Sequence, residues 1–376
     1  MREELRLPGL VTVEHLFEIP LDHDDEAGPR ITVFAREVAD PEGRERPFLV
    51  YLQGGPGSEA PRPHRNPSNP GWLDRALQEF RVLMLDQRGT GRSTPVGTLP
   101  GMSPPEQADY LAHFRADSIV RDAEWIRREL GVERWSVLGQ SFGGFCVTTY
   151  LSLAPDGLRE ALITGGLPPL DHAVDEYYPY TYRRVVERNR RYLERYPSDR
   201  DRLLDLKRTV DDDTLRLPSG DRLTWRRFRQ VGNMLGMSDG AERLHYLLEL
   251  PFDSPAFLHD VERATSFARN PIYAIIHEAC MADGGKTEWS AERVMPAEFD
   301  GSHLLTGEHI YSWMFEDYGA LRPLREAAEQ LARREWPLYP CRRGPVRSSP
   351  RWTSTCHRHD FSWPGIRSTC RWHRPA

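Results

Sequence analysis

Gly139-Gln140-Ser141-Phe142-Gly143-Gly144 sets a hydroxyl nucleophile among glycines in the pattern G-x-S-x-G. That pattern serves acyl transfer when it joins a strand to a helix. The turn is then sharp enough to strain the serine backbone and hold its hydroxyl clear of the sheet, and small flanking residues let neighbouring chain approach. The helix that begins there aims its first amides at the attacked carbonyl oxygen, where negative charge develops. The flanking residues fit: Trp135-Ser-Val-Leu-Gly reads as a strand and Phe142 to Leu153 as a helix. Taken alone, the same pattern could be a glycine-rich turn with a solvent-facing serine.

Two further segments favour the chemical reading. Gln53-Gly54-Gly55-Pro56-Gly57 follows the apolar run Phe48-Leu-Val-Tyr-Leu, where a glycine pair can turn backbone N–H groups toward an oxyanion. The N–H groups of Gly55 and Phe142 are the expected oxyanion hole. A phosphate-binding loop is disfavoured, because the lysine and spacing of a P-loop are missing. Asp86-Gln87-Arg88-Gly89-Thr90-Gly91-Arg92-Ser93 ends the run Val82-Leu-Met-Leu. Its paired charges and glycines suit a tightly bonded loop that braces the site.

The elements that must carry these loops alternate. Val11 to Leu21 and Arg30 to Val38 read as an antiparallel hairpin, and the two apolar runs above as buried strands. Helical patterns cover Trp72 to Phe80 and Ala116 to Leu130, the latter with Ile119, Ala123, Ile126 and Leu130 on one face. Ala161-Leu-Ile-Thr-Gly returns as a strand. The rhythm predicts a doubly wound α/β core: a mostly parallel sheet with helices on both faces. From about Leu170 the pattern turns to polar helices rich in Tyr and Arg, as in Tyr177 to Tyr196, and reads as an inserted helical cap. The expected division is a core over 1–168, a cap over 169–300 and a return to the core over 301–339.

The combination of a GGPG loop, a DQRGxGRS loop and a GQSxGG elbow, in this order, resembles the proline iminopeptidases (prolyl aminopeptidases), serine exopeptidases of the α/β-hydrolase fold. The likeness covers about Thr12 to Pro337. It implies that Ser141 attacks the carbonyl of an N-terminal proline, that a cap glutamate grips the free imino group, and that neither metal nor cofactor takes part. The matching cap segment is Asn270-Pro271-Ile-Tyr-Ala-Ile-Ile-His277-Glu278, which makes Glu278 the candidate amine anchor. A carboxylate in so apolar a run is costly without a partner, and a substrate ammonium would supply one. An ion pair with a cap arginine would serve equally well. Gln53 departs from the family pattern, since many members carry histidine there.

A triad of this fold needs an acid and then a histidine after the serine, each following a late strand. The sequence offers no convincing pair. Residues 1–339 carry 42 Lys and Arg against 55 Asp and Glu, a net −13, whereas Pro340 to Ala376 carries eight arginines and the single acid Asp360, a net +7. That tail also holds three of the five cysteines, three tryptophans, three histidines and no leucine. The abrupt change predicts a shifted reading frame near Pro340, loss of the last core strands, and an aberrant, disordered tail. Asp360, His357, His359 and His373 are accordingly declined as triad partners. Cys341, Cys356 and Cys370 lack the close pairing of a zinc site. A native arginine-rich tail for anionic partners remains the alternative.

The 376 residues, 39% of them apolar, with a mean hydropathy of −0.61, contain no run of eighteen apolar residues, so no membrane span is expected. The N-terminus lacks a secretory pattern, which makes the cytoplasm the expected location. A net charge of −6 argues against a general nucleic-acid binder. Three functions stay open: release of proline from a peptide with a free N-terminus, an esterase or amidase on the same elbow, and an inactive chain retaining a binding cap.

Overall fold

The computed structural model describes residues 3–211 and 214–340, and the backbone of 353–357 and 369–373. It divides into two compact units, one of Met1–Gly97, Asp109–Asp171 and Pro337–Ala376, the other of Thr98–Ala108 and His172–Trp336.

One sheet organises the first unit. Its strands are β1 (Glu3–Leu7), β2 (Leu10–Pro20), β3 (Arg30–Ala39), β4 (Phe48–Leu52), β5 (Arg81–Leu85), β6 (Trp135–Gln140), β7 (Leu158–Thr164), β8 (Thr353–His357) and β9 (Thr369–His373). They lie in the order β1-β2-β3-β5-β4-β6-β7-β9-β8. The expected hairpin forms, with β2 and β3 paired antiparallel from Val11↔Ala39 to Pro20↔Arg30. The centre β5-β4-β6-β7 is parallel. Every residue of β4 is buried, as a strand covered on both faces requires.

The crossovers are helical. Leu73–Leu77 packs Leu73, Ala76 and Leu77 with Leu49, Tyr51, Val82 and Met84 of the sheet. Ala116–Glu129 buries Ile119, Ala123 and Ile126 of the predicted stripe, and Val120 beside it, while Leu130 at its end is half-buried. Each Ile or Val side chain so buried contributes roughly 1.5–3 kcal/mol of apolar transfer. The same helix also buries Asp122 and Glu124, which periodicity did not foresee.

Two features depart from expectation. Composition pointed to no strand beyond Pro340, yet β9 pairs antiparallel with β7 (Arg371↔Leu162, Trp372↔Ala161) and β8 pairs with β9. An open strand edge offers unpaired N–H and C=O groups that any extended segment can satisfy. Thr353, Thr355, Thr369 and Trp372 have the strand preference to do so without a continuous apolar run. Among the described residues no parallel strand follows β7.

The second departure is the boundary of the helical unit, which runs to Trp336 instead of returning to the core at 301. Backbone bonds explain it. Asn189 brackets Leu305, with Leu305 N–H donating to Asn189 Oδ1 at 2.9 Å and Asn189 Nδ2 donating to Leu305 O at 3.0 Å. Thr306 N–H donates to Arg229 O, and Trp336 N–H to Gly285 O, both at 2.9 Å. The unit includes the helices Val174–Arg195, Asp199–Asp211, Pro255–Thr265, Ile272–Met281 and Arg325–Arg333. Phe228, Val231, Leu244, Phe257 and Val261 contribute to its apolar core. No helix among the described residues is long and apolar enough to cross a membrane.

Candidate active site

Ser141 occupies the single-residue turn between β6 and the helix Phe142–Leu153, with φ 55° and ψ −123°. A serine at positive φ carries about 1–3 kcal/mol of backbone strain and persists only where its surroundings impose it. They do so here. Ser141 N–H donates to Thr164 O at 3.1 Å, and Gly144 N–H donates to Ser141 O at 2.8 Å. The serine is exposed while Phe142 beside it is buried, and no side chain caps the helix. The first amides of the helix are thus left for another acceptor.

Close approach explains the small residues. A Cβ on Gly143 would lie 1.9 Å from Leu52 O, so the helix start rests directly on the end of β4. A Cβ on Gly166 would lie 1.7 Å from Ser141 O. Gly166 was not singled out from sequence, although a Gly-Gly pair straight after β7 is the signal that could have found it. Gly166→Ala should force the elbow backbone to move. We expect a loss of about 3 kcal/mol in denaturant unfolding, and a roughly 10²-fold fall in turnover through misplacement of Ser141.

The loop after β4 meets the same point. A Cβ on Gly54 would lie 2.9 Å from Ser141 Cβ and 3.5 Å from its Oγ, and Gly55 has φ 125°. Ser141 and the Gly54-Gly55 pair therefore meet at the end of β4. Behind them lies the Asp86–Ser93 loop. Asp86 is fully buried and accepts from Arg62 Nη1 and Nη2, both at 2.8 Å, and from Arg92 N–H at 3.0 Å. Arg88 is buried too: its Nε donates to Asp122 Oδ2 at 2.7 Å, and its Nη1 to the carbonyls of Leu21 and His113. Gln87 Nε2 donates to Gln53 O at 3.0 Å.

Glu278 belongs to the helical unit and is 6% exposed. Its carboxylate accepts from Ala291 N–H at 2.9 Å and Ser290 N–H at 3.2 Å, the first amides of the short helix Ser290–Arg293. Burial pushes its pKa up to about 7, against the opposing pull of those two amides, Thr287 and the positive charge of Arg293. The arginine ion pair envisaged as the alternative is not what fills its hydrogen bonds. Arg293 instead bonds Asp175 and the carbonyls of Thr287 and Glu288.

Polar aromatic groups crowd this carboxylate. Tyr178 is fully buried beside it, and among the described residues neither Tyr178 OH nor His277 Nδ1 has a hydrogen-bond partner. Burial lowers the pKa of His277. Tyr273 OH donates to Glu308, which lies within electrostatic reach of Tyr177 and His277. His309 is neutral, with its pKa lowered to about 3 by burial; its Nδ1 accepts from Gly307 N–H and its Nε2 meets Thr181 Oγ1 at 2.8 Å. Tyr177, Tyr178 and Glu308 were missed because the resemblance singled out only one cap residue. Of the declined triad candidates, His359 and Asp360 lie outside the described residues, and His357 and His373 end β8 and β9.

Comparison with known proteins matches residues 47–261 to the alpha/beta hydrolase fold family. A proline iminopeptidase of Aeromonas sobria is 48% identical over 354 residues, covering 89% of this chain and 82% of the relative. The chain belongs to the proline iminopeptidase family. A second member, from Aspergillus aculeatus, is 35% identical and covers 86% of this chain and 77% of its own. A crystal structure of a proline iminopeptidase-related protein from Thermus thermophilus aligns over 47% of this chain and 50% of its own, at 25% identity and a TM-score of 0.32. Membership of the proline iminopeptidases accounts for the three glycine loops together, which neither a chance G-x-S-x-G nor an ordinary turn would do.

Proposed function

We propose that this chain is built to release N-terminal proline from peptides through an acyl-enzyme on Ser141. The observation that carries the reading is similarity to a proline iminopeptidase over 89% of this chain and 82% of the relative, combined with an exposed, strained Ser141 against the Gly54-Gly55 loop. Ser141 Oγ attacks the prolyl carbonyl, and the N–H groups of Gly55 and Phe142 receive the developing oxyanion. The peptide amine leaves, water cleaves the prolyl ester, and no metal or cofactor is required. Glu278 anchors the substrate's free imino nitrogen. The reaction takes place in the cytoplasm. The test is release of product from a prolyl chromogenic amide and from its N-acetylated counterpart, with Ser141→Ala as control. Equal rates on both amides would favour the general amidase instead.

A pH dependence follows from Glu278. Its pKa is raised, so the fold prefers the protonated form, and that contribution to stability is present below about pH 4.5 and lost as pH rises through about 7. Glu278→Gln should flatten the unfolding free energy between those limits. Binding of a free prolyl amine should strengthen over the same interval as the carboxylate ionises, whereas binding of an acetylated ligand should not.

A further inference from the structure

The Gly54-Gly55 pair has two glycines' worth of backbone freedom at the place where an amide must point in one direction. Something else must fix its peptide planes. The structure shows two restraints. One is steric: Gly143 presses on Leu52 O, and a Cβ there would lie 3.2 Å from Gln53 O as well. The other is a single directional bond from Gln87 Nε2 to Gln53 O at 3.0 Å.

Peptide planarity makes that bond informative. The Gln53 carbonyl and the Gly54 N–H share one plane and point in opposite directions, so holding the carbonyl sets the amide. It is the last plane tied down before the Gly55 N–H, one Cα further on. Gln87 is 1% exposed, and among the described residues neither its Oε1 nor the buried Oε1 of Gln53 has a hydrogen-bond partner. Leaving a buried amide oxygen unsatisfied costs about 1–3 kcal/mol. Such a residue is poor structural filler. Its backbone is secured separately, since Thr90 N–H and Thr90 Oγ1 both donate to Gln87 O.

We infer that Gln87 is a positioning residue for the oxyanion-binding loop, acting through the Gln53 carbonyl to hold the Gly54-Gly55 amides toward Ser141. This rests on the Ser141 hydrolase reading above. The test needs no turnover. Pyrrolidine-2-boronic acid forms a tetrahedral adduct on a nucleophilic serine and places an oxygen where the oxyanion would form, whereas free proline does not. Gln87→Met, of similar size but without a donor, should weaken boronate binding 10- to 100-fold and leave proline binding within about twofold, with an unchanged melting temperature.

Gln87→Glu supplies the control against a structural role. A protonated glutamic acid can donate to Gln53 O and a carboxylate cannot. The ratio of its boronate affinity to that of the native chain should therefore recover as pH falls. Native-level boronate affinity in Gln87→Met, or equal weakening of boronate and proline, would overturn the inference while leaving the hydrolase reading intact. Boronate binding that survives Ser141→Ala would instead remove the hydrolase reading on which it rests.

Discussion

The chain as it stands should hydrolyse a prolyl chromogenic amide several orders of magnitude more slowly than a version whose reading frame continues correctly past Tyr339. The strained turn at Ser141 and the glycine loop beside it are in place, and the expectation rests on our proposal that the tail from Pro340 supplies neither a base to take the serine proton nor an acid to orient that base. Without any one triad member, such enzymes keep only about 10³–10⁴ over water, from the oxyanion hole and binding. Residual activity of that size should depend little on Ser141. If instead the native chain turns over like a complete enzyme and loses that activity on Ser141→Ala, the tail does supply an acid and a histidine, and the shifted frame is disproved.

The second large effect is expected at Arg88. Replacing it with Met removes two hydrogen bonds and the countercharge from Asp122, which is 1% exposed. His23, at 2.8 Å, is then the remaining partner of that carboxylate. Breaking a buried pair on one side typically costs about 3–5 kcal/mol, because the surviving charge stays desolvated. Arg88 also ties the carbonyls of Leu21 and His113, so the loop after β2 should loosen with it. Chemical denaturation of Arg88→Met should show the full loss, and the double variant with Asp122→Asn should regain a large part of it. A single variant as stable as the native chain would show that Asp122 finds water or another donor.

The parts of the molecule that could be read directly from residues are those governed by local rules. β6, Ser141 and the following helix obey a short-range pattern, in which a strand, a tight turn and small residues must occur together, and the helix spans Phe142–Leu153 as predicted. The β2–β3 pair was equally plain, because a polar break separates two extended runs. Long-range pairings were not. Asp122 reads as one polar residue on an amphipathic helix until Arg88, 34 residues earlier, is folded against it. Glu278 stood out as a charge in an apolar run, but the amides of Ser290 and Ala291 that meet it are set by a left-handed turn at Trp289 that no pattern announces. The end of the helical unit was misjudged for the same reason: Asn189 and Leu305 are 116 positions apart.

The hairpin beside β7 has a consequence for any version of the protein with a different C-terminus. Two different C-termini, one antiparallel and rich in arginine, the other carrying the family's own last strands, would have to compete for a single row of backbone donors and acceptors along Leu158–Thr164. In this structure β9 takes that row, and the outer edge of the sheet passes to β8. Should the reading frame prove shifted, expression level or antibody detection would not by itself report whether catalysis is retained.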